Sequence, residues 1–126
     1  MSYARAMDLT RREALALAAL LPSLAAAAEP DLEVPYVPTP PELVERMLAL
    51  AEVGPSDFLI DLGCGDGRIA IAAARRGAHA LGVDLDPARI AEAVAAAEFA
   101  GLTNLVRFRR EDLFRTAIGQ ASVIAL

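Results

Sequence analysis

The sequence contains no lysine, one cysteine and one histidine. A single cysteine excludes a disulfide within the chain, and one cysteine with one histidine cannot form a usual protein zinc site. Without lysine, the chain cannot carry a phosphate-binding loop of the type that uses one. All twelve basic residues are arginines, and the net charge is −5. This acidic balance lacks the basic footprint of nucleic-acid binding, so we predict neither a metal site nor a nucleic-acid partner.

The 126 residues are enough for one small domain, and 56% of them are hydrophobic, so the chain is not disordered by composition. Apolar strand patterns alternate with helical patterns along the chain. Strands are predicted near 58–60, 80–83, 105–109 and 121–126, and helices near 40–50, 68–76 and 87–100. This alternation predicts an α/β fold with a doubly wound, mostly parallel sheet of about four strands.

A glycine-rich turn, Asp61–Arg68, lies between the first predicted strand and a predicted helix. Its glycines, at positions 63, 65 and 67, permit a sharp turn and let a ligand approach the main chain. The helix N-terminus that follows presents unpaired N–H groups and a partial positive charge. Strand, glycine turn and helix in this order are typical of a nucleotide-type binding site. A tight turn without a ligand is the structural alternative.

The spacing of these glycines differs from that of a dinucleotide site. The dinucleotide pattern is G-x-G-x-x-G, whereas this chain has G-x-G-x-G and places Arg68 where the third glycine would stand. Asp61 and Asp66 would repel a pyrophosphate but would suit a ligand that carries an ammonium group. The turn therefore favours a ligand without phosphate.

Acidic residues also follow the next two predicted strands. Asp84 ends the second strand about 20 residues past the turn, where a carboxylate can accept hydrogen bonds from both ribose hydroxyls. Leu85 is a candidate to pack on an adenine face. After the third strand, Asp112 is a candidate acceptor for the adenine amino group, and the Leu113 N–H for a ring nitrogen. A helix cap at Asp84 and a solvated loop at Asp112 are the structural alternatives.

These segments together resemble the class I S-adenosylmethionine (SAM) methyltransferases over roughly residues 35–126. Residues 61–67 resemble the glycine motif of that family, 82–87 its ribose-binding motif and 110–114 its adenine-binding motif. The resemblance implies a Rossmann-like fold, with SAM as the cofactor. It also implies transfer of the methyl group from the sulfonium to a nucleophile by an SN2 reaction.

The same resemblance assigns roles within the glycine turn. Gly63 and Gly65 would approach the amino-acid portion of the cofactor, and Asp61 would hold its ammonium, directly or through water. Cys64 and Gly67 belong to the same cofactor-binding loop, and Cys64 is not expected to act as a nucleophile. Because the sulfonium is already activated, the protein mainly positions donor and acceptor, and we assign no catalytic residue.

The proline-rich stretch before the first helix resembles a narrower group. Residues 35–40 are similar to the corresponding segment of small methyltransferases related to the protein-lysine methyltransferases of mitochondrial membrane proteins, including the c-ring protein of ATP synthase. This similarity implies a protein lysine as the methyl acceptor. It also makes Tyr36 and Thr39 cofactor contacts, because the segment lies over the cofactor in that group. The alternative is a linker, residues 29–39, that ends with Thr39 as a helix cap.

The first 28 residues have the pattern of a signal peptide. Arg11 and Arg12 resemble a twin-arginine export signal, an apolar stretch follows, and four alanines end at Ala28. The apolar stretch is too short, and too interrupted by Pro22, to span a membrane. Two interpretations stay open. Either the segment exports the protein and is cleaved near Ala28, or it is a retained N-terminal helix of a cytoplasmic protein, which suits the cytoplasmic synthesis of SAM.

Residues 40–126 are predicted to form an incomplete methyltransferase domain. By the resemblance, a complete sheet has seven strands, of which this chain supplies four. We therefore expect a C-terminally truncated cofactor half, without most of its acceptor site and unable on its own to complete methyl transfer. Its fourth strand would be an unpaired apolar edge. A non-catalytic Rossmann-like module that binds SAM or a nucleotide such as NAD remains the second hypothesis.

Overall fold

The computed structural model describes residues 3–5 and 35–126. Within these ranges the chain alternates between strands and helices, and a single 3-10 turn, Leu113–Arg115, follows the fourth strand. The elements are β1 (Tyr3–Arg5), α1 (Pro41–Leu50), β2 (Phe58–Leu62), α2 (Arg68–Arg75), β3 (His79–Asp84), α3 (Pro87–Ala100), β4 (Val106–Arg110) and β5 (Val123–Ala125).

The strands form one sheet in the order β1-β5-β2-β3-β4. Strands β5, β2, β3 and β4 are mutually parallel, which confirms the predicted α/β class and its four parallel strands. The chain winds outward from β2 through β3 to β4 and then returns to the other side of β2 as β5. The carboxyl ends of β2 and β5 therefore flank a topological switch point, where ligands bind in open α/β sheets.

The outer edge of β5 is paired, contrary to expectation. Tyr3–Arg5 pairs antiparallel with Val123–Ala125, so the predicted unpaired apolar edge is wrong. The prediction of a helix within residues 1–28 is also wrong at these three residues, because they satisfy the backbone groups of β5 instead. The remainder of that segment, with its signal-peptide-like features, lies outside the described residues. Cleavage near Ala28 would separate β1 from the sheet that it extends.

Small side chains let α2 lie close to the sheet. Its alanines, among them Ala70 and Ala73, are fully buried in one core cluster with Leu59 of β2 and Leu48 of α1. A second cluster forms on the opposite face of the sheet and includes Ile60. Because α2 begins directly after the glycine turn, this close packing fixes the turn relative to the strands.

The helix caps follow the sequence signals at one helix and depart from them at another. At α3, Asp86 accepts a 2.9 Å hydrogen bond from the Ala88 N–H, and Gly101 ends the helix with φ 70°, as predicted. At α1, Pro40 is the N-cap and no side chain caps the helix, so the predicted Thr39 cap is wrong. Instead, the Thr39 carbonyl oxygen accepts a hydrogen bond from Arg68, 2.9 Å away.

Candidate cofactor site

The register of the sheet brings the predicted site residues to one edge. Asp61 lies near the carboxyl end of β2, beside Gly82 of β3, and Asp84 at the end of β3 lies beside Arg110 of β4. The Glu111 N–H donates to the Asp84 carbonyl oxygen at 3.1 Å, so the loop with Asp112 starts next to Asp84. The three strand-end carboxylates therefore border one site, as the parallel topology predicts.

The glycine turn has the backbone that its sequence requires. Gly63, Gly65 and Gly67 have φ values of 86°, 55° and 83°, in the left-handed region that favours glycine. A Cβ at Gly63 would have no neighbour within 4 Å, so the main chain there is open to a ligand. A Cβ at Gly67 would lie 2.6 Å from the Phe108 ring, so this glycine is needed for internal packing.

The backbone N–H groups of residues 63–68 all have acceptors within the protein. Those of Gly63 and Cys64 donate to the Val83 carbonyl oxygen, both at 2.8 Å. The acceptors of the remaining four, in chain order from 65 to 68, are Asp84 Oδ2, the Tyr36 hydroxyl, the Cys64 carbonyl and Asp66 Oδ1. A phosphate bound at a glycine turn needs free N–H donors. This turn offers it none, which disfavours a dinucleotide.

Asp61 is a buried carboxylate without a hydrogen-bond partner. Its side chain is 0% exposed, and neither carboxylate oxygen has a partner among the described residues. Burial, reinforced by repulsion from Asp84 and Asp66, raises the pKa of Asp61 from 3.8 to about 7. A buried acid of this kind costs stability unless a cation or a donor satisfies it. Its position under the open glycine turn suits a ligand ammonium.

Asp84 is held by backbone donors at the end of β3. Its Oδ2 accepts from the Gly65 N–H and its Oδ1 from the Asp86 N–H, both at 2.9 Å. A carboxylate has about four lone-pair positions, so the two oxygens can still accept further hydrogen bonds. Asp84 therefore fixes the glycine turn and retains acceptor capacity for vicinal hydroxyls. The predicted helix cap is Asp86, not Asp84.

The predicted adenine contacts lie beside Asp84 on two loops. The side chain of Leu85 is 62% exposed, and its carbonyl oxygen accepts from Arg110 Nε at 3.0 Å. Asp112 Oδ1 accepts from the Phe114 N–H at 2.9 Å and caps the 3-10 turn. Leu113 packs against the second core cluster, so its side chain serves the core.

Tyr36 and Thr39 lie on the glycine turn. The Tyr36 ring occupies the space where a Cβ of Gly65 would stand, with its nearest atom 2.7 Å from that point. The Tyr36 hydroxyl oxygen accepts from the Asp66 N–H at 3.2 Å. Residues 36–39 thus cross the turn and pack on it, so this part of the predicted proline-rich linker contributes to the site.

Cys64 faces the interior and not the ligand side. Its side chain is buried against Gly82, and burial raises the pKa of the thiol far above its usual range. A thiol in this state is inert, as expected. Only the backbone of Cys64 belongs to the turn.

Three supporting residues were missed by sequence reasoning. Phe108 fills the space beside Gly67 and Gly82, and Arg68 and Arg89 contact residues 36–39. The only signals were Arg68 at the third-glycine position and a large apolar residue between arginines in β4. Arg89 gave no signal, since its partner is distant in sequence.

A groove of about 450 Å³ lies between the three helices and is bordered by Asp66, Arg68 and Phe99. None of the residues predicted to bind the cofactor lines it, so we do not assign the cofactor to this groove. Among the described residues, no cluster of acidic, histidine or cysteine side chains could hold a metal ion. Within the same ranges, no helix has the length and apolar character that crossing a membrane requires.

Comparison with known proteins identifies similar chains. Residues 61–126 match the family model described as the ANTKMT methyltransferase domain. A protein-lysine N-methyltransferase of Saccharolobus islandicus (strain REY15A) is 43% identical over 95 residues, which are 74% of this chain and 59% of that protein. A Caenorhabditis elegans enzyme, named as a lysine N-methyltransferase of the c-ring protein of ATP synthase, is 36% identical over 119 residues. That match covers 88% of this chain and 63% of the relative.

A solved structure is also similar. The crystal structure of an RNA methyltransferase from Salinibacter ruber in complex with S-adenosyl-L-homocysteine matches with a TM-score of 0.67 and 50% identity. The match covers 68% of this chain and 56% of that one. This chain therefore spans roughly three-fifths of the length of the relatives that it matches.

Proposed function

This chain belongs to the family of the ANTKMT methyltransferase domain, and we propose that it binds SAM where β2, β3 and β4 end and forms the cofactor half of a methyltransferase. Asp61 carries this proposal. It is a fully buried carboxylate without a partner among the described residues, placed under a glycine turn that is open at Gly63. The amino-acid end of SAM supplies the ammonium that this carboxylate lacks.

The other predicted residues divide the remaining parts of the cofactor. We assign the ribose hydroxyls to Asp84 and the adenine to Leu85, Asp112 and the Leu113 N–H. The turn, including the backbone of Gly65, Cys64 and Gly67, shapes the surface for the amino-acid end, and Tyr36 and Thr39 cover it. When bound, SAM supplies a methyl group activated by its sulfonium. The chain needs only to bind, orient and shield it.

We propose a protein lysine as the methyl acceptor. The support comes from the names of two relatives, both lysine N-methyltransferases, and from the resemblance of residues 35–40 to that group. The Salinibacter ruber relative is titled an RNA methyltransferase, so its title points to a different acceptor. The net charge of −5 opposes an RNA partner for this chain. Acceptor assays should therefore include RNA as the competing class.

Thermal unfolding of the full 126-residue chain with S-adenosylhomocysteine tests the cofactor, with NAD as the control ligand. Ligand at about 100 times its dissociation constant adds roughly 2.7 kcal/mol. For a domain of this size, we expect Tm to rise on the order of 10 °C. NAD should give no shift, because the turn has no free N–H donors. A shift with NAD alone would support the binding-module hypothesis, and no shift with either ligand would contradict the proposal.

An Asp84→Ala variant tests the ribose assignment in the same assay. It removes the acceptor for the ribose hydroxyls, so the shift with S-adenosylhomocysteine should shrink markedly. Asp84 also accepts from two backbone N–H groups, so the variant's own Tm without ligand must be recorded as the baseline. An unchanged ligand-induced shift would show that Asp84 does not contact the ribose.

A further inference from the structure

Two arginines hold residues 36–39 across the glycine turn, and the function proposed above does not use either of them. We name these four residues the strap. Arg68 contacts the strap at Thr39 and Arg89 contacts it at Tyr36. The two arginines come from different helices, and each reaches a different end of the strap.

Arg68 joins the strap to the turn through its guanidinium. Its Nη1 donates to the Thr39 carbonyl oxygen at 2.9 Å, while Nε and Nη2 bind the Asp66 carboxylate. This ion pair lowers the pKa of Asp66. One side chain at the start of α2 therefore links the strap, the turn and the helix. A glycine at this position, as in the dinucleotide pattern, could not make these contacts.

Arg89 covers the outer face of Tyr36. The guanidinium carbon lies 4.0 Å from the ring centroid, within the range of a cation–π contact, and the ring itself lies on Gly65. Arg89 Nη1 is held in turn by both carboxylate oxygens of Glu92, each at 2.9 Å. The Tyr36 ring is thus enclosed between the turn and a guanidinium that its own helix orients.

We propose that Arg68 and Arg89 are positioning residues that hold the strap closed over the glycine turn, and that this closure slows the release of the cofactor's amino-acid end. The second part rests on the proposed SAM-binding function, and the first part does not. Both arginines act through Tyr36 and Thr39, since these are the strap residues that they contact. Arg89 is the better test, because its ion pair is exposed and adds little to overall stability.

Amide exchange at Asp66, measured by NMR without ligand, tests closure directly. The Asp66 N–H donates to the Tyr36 hydroxyl, so it exchanges only when the strap opens. Losing an exposed cation–π contact worth about 0.5–1 kcal/mol should speed exchange roughly two- to five-fold in Arg89→Ala. Arg89→Lys should keep most of the protection, and Arg107→Ala, an exposed arginine on β4, should exchange at the parent rate. Equal rates in Arg89→Ala, Tyr36→Phe and the parent would overturn the proposal.

Stopped-flow dissociation of S-adenosylhomocysteine tests the second part. The chain has no tryptophan and only two tyrosines, so in a Tyr3→Phe background the tyrosine emission reports Tyr36. We expect Arg89→Ala to raise the dissociation rate roughly two- to five-fold with an unchanged Tm, and Arg89→Lys to restore it in large part. An unchanged dissociation rate in Arg89→Ala would refute control of release. If the parent itself binds no ligand, the SAM proposal fails, while Asp66 exchange still decides whether the strap closes.

Discussion

Replacing Asp61 by Asn separates the cost of this buried carboxylate from its use. Burial, Asp84 and Asp66 raise its pKa in the folded state from 3.8 to about 7. The folded protein therefore holds a proton that the unfolded chain has released between these two pH values. The stability that this proton provides is greatest below about pH 4 and is lost as the pH rises to about 7. Above pH 7, the ionised carboxylate costs roughly 4 kcal/mol.

The pH dependence of the difference between the two proteins is the decisive quantity. Asn does not titrate, so its own burial cost is the same at every pH and cancels from the comparison. From the linkage relation, the stability of the variant relative to the parent should be greater at pH 8 than at pH 5 by roughly 2–3 kcal/mol. At pH 8, we expect the variant to be the more stable protein despite its unpaired amide, which costs about 1–3 kcal/mol.

Urea unfolding at pH 5 and pH 8, without ligand, measures this difference. Glu98→Gln on the exposed side of α3 is the matched control, and its stability relative to the parent should change little with pH. S-adenosylhomocysteine should stabilise the parent at pH 8 but not Asp61→Asn. If the variant and the parent lose stability in parallel between pH 5 and pH 8, Asp61 does not titrate as its burial requires. If the variant binds the ligand as the parent does, Asp61 does not hold the ammonium.

Three further predictions follow from the same geometry. The affinity for S-adenosylhomocysteine, measured by calorimetry, should fall by up to about tenfold per pH unit below pH 7, because an ammonium needs ionised Asp61; a flat profile from pH 5 to 8 would contradict this. Gly82→Ala should lower the free energy of unfolding by about 1–3 kcal/mol, because its Cβ would lie 2.7 Å from the Phe108 ring, and adding Phe108→Leu should restore part of the loss. Deleting the first five residues should lower Tm and promote association seen by light scattering, because it exposes the edge of β5; a monomeric protein of unchanged Tm would show that β1 contributes nothing.

The local features of this protein were predictable because they depend on neighbours in sequence. The glycine spacing required left-handed backbone at Gly63, Gly65 and Gly67, and the structure has it. Asp86 and Gly101 were recognised as the ends of α3 from cap chemistry alone. The alternation of apolar segments predicted the parallel sheet, and parallel strands necessarily bring Asp61 and the residues after β3 and β4 to one edge.

Only the tertiary structure decided which partners these residues have. Whether Asp61 is satisfied depends on every side chain around it, and the sequence could not show that none of the described residues reaches it. The stacking of Arg89 on Tyr36 and the pairing of β1 with β5 join segments that are far apart in the chain. Such contacts depend on how elements pack in three dimensions and leave no periodic pattern in the sequence. Sequence determined the turn and its chemistry, and packing determined that the carboxylate beneath it is isolated and that two arginines hold the strap above it.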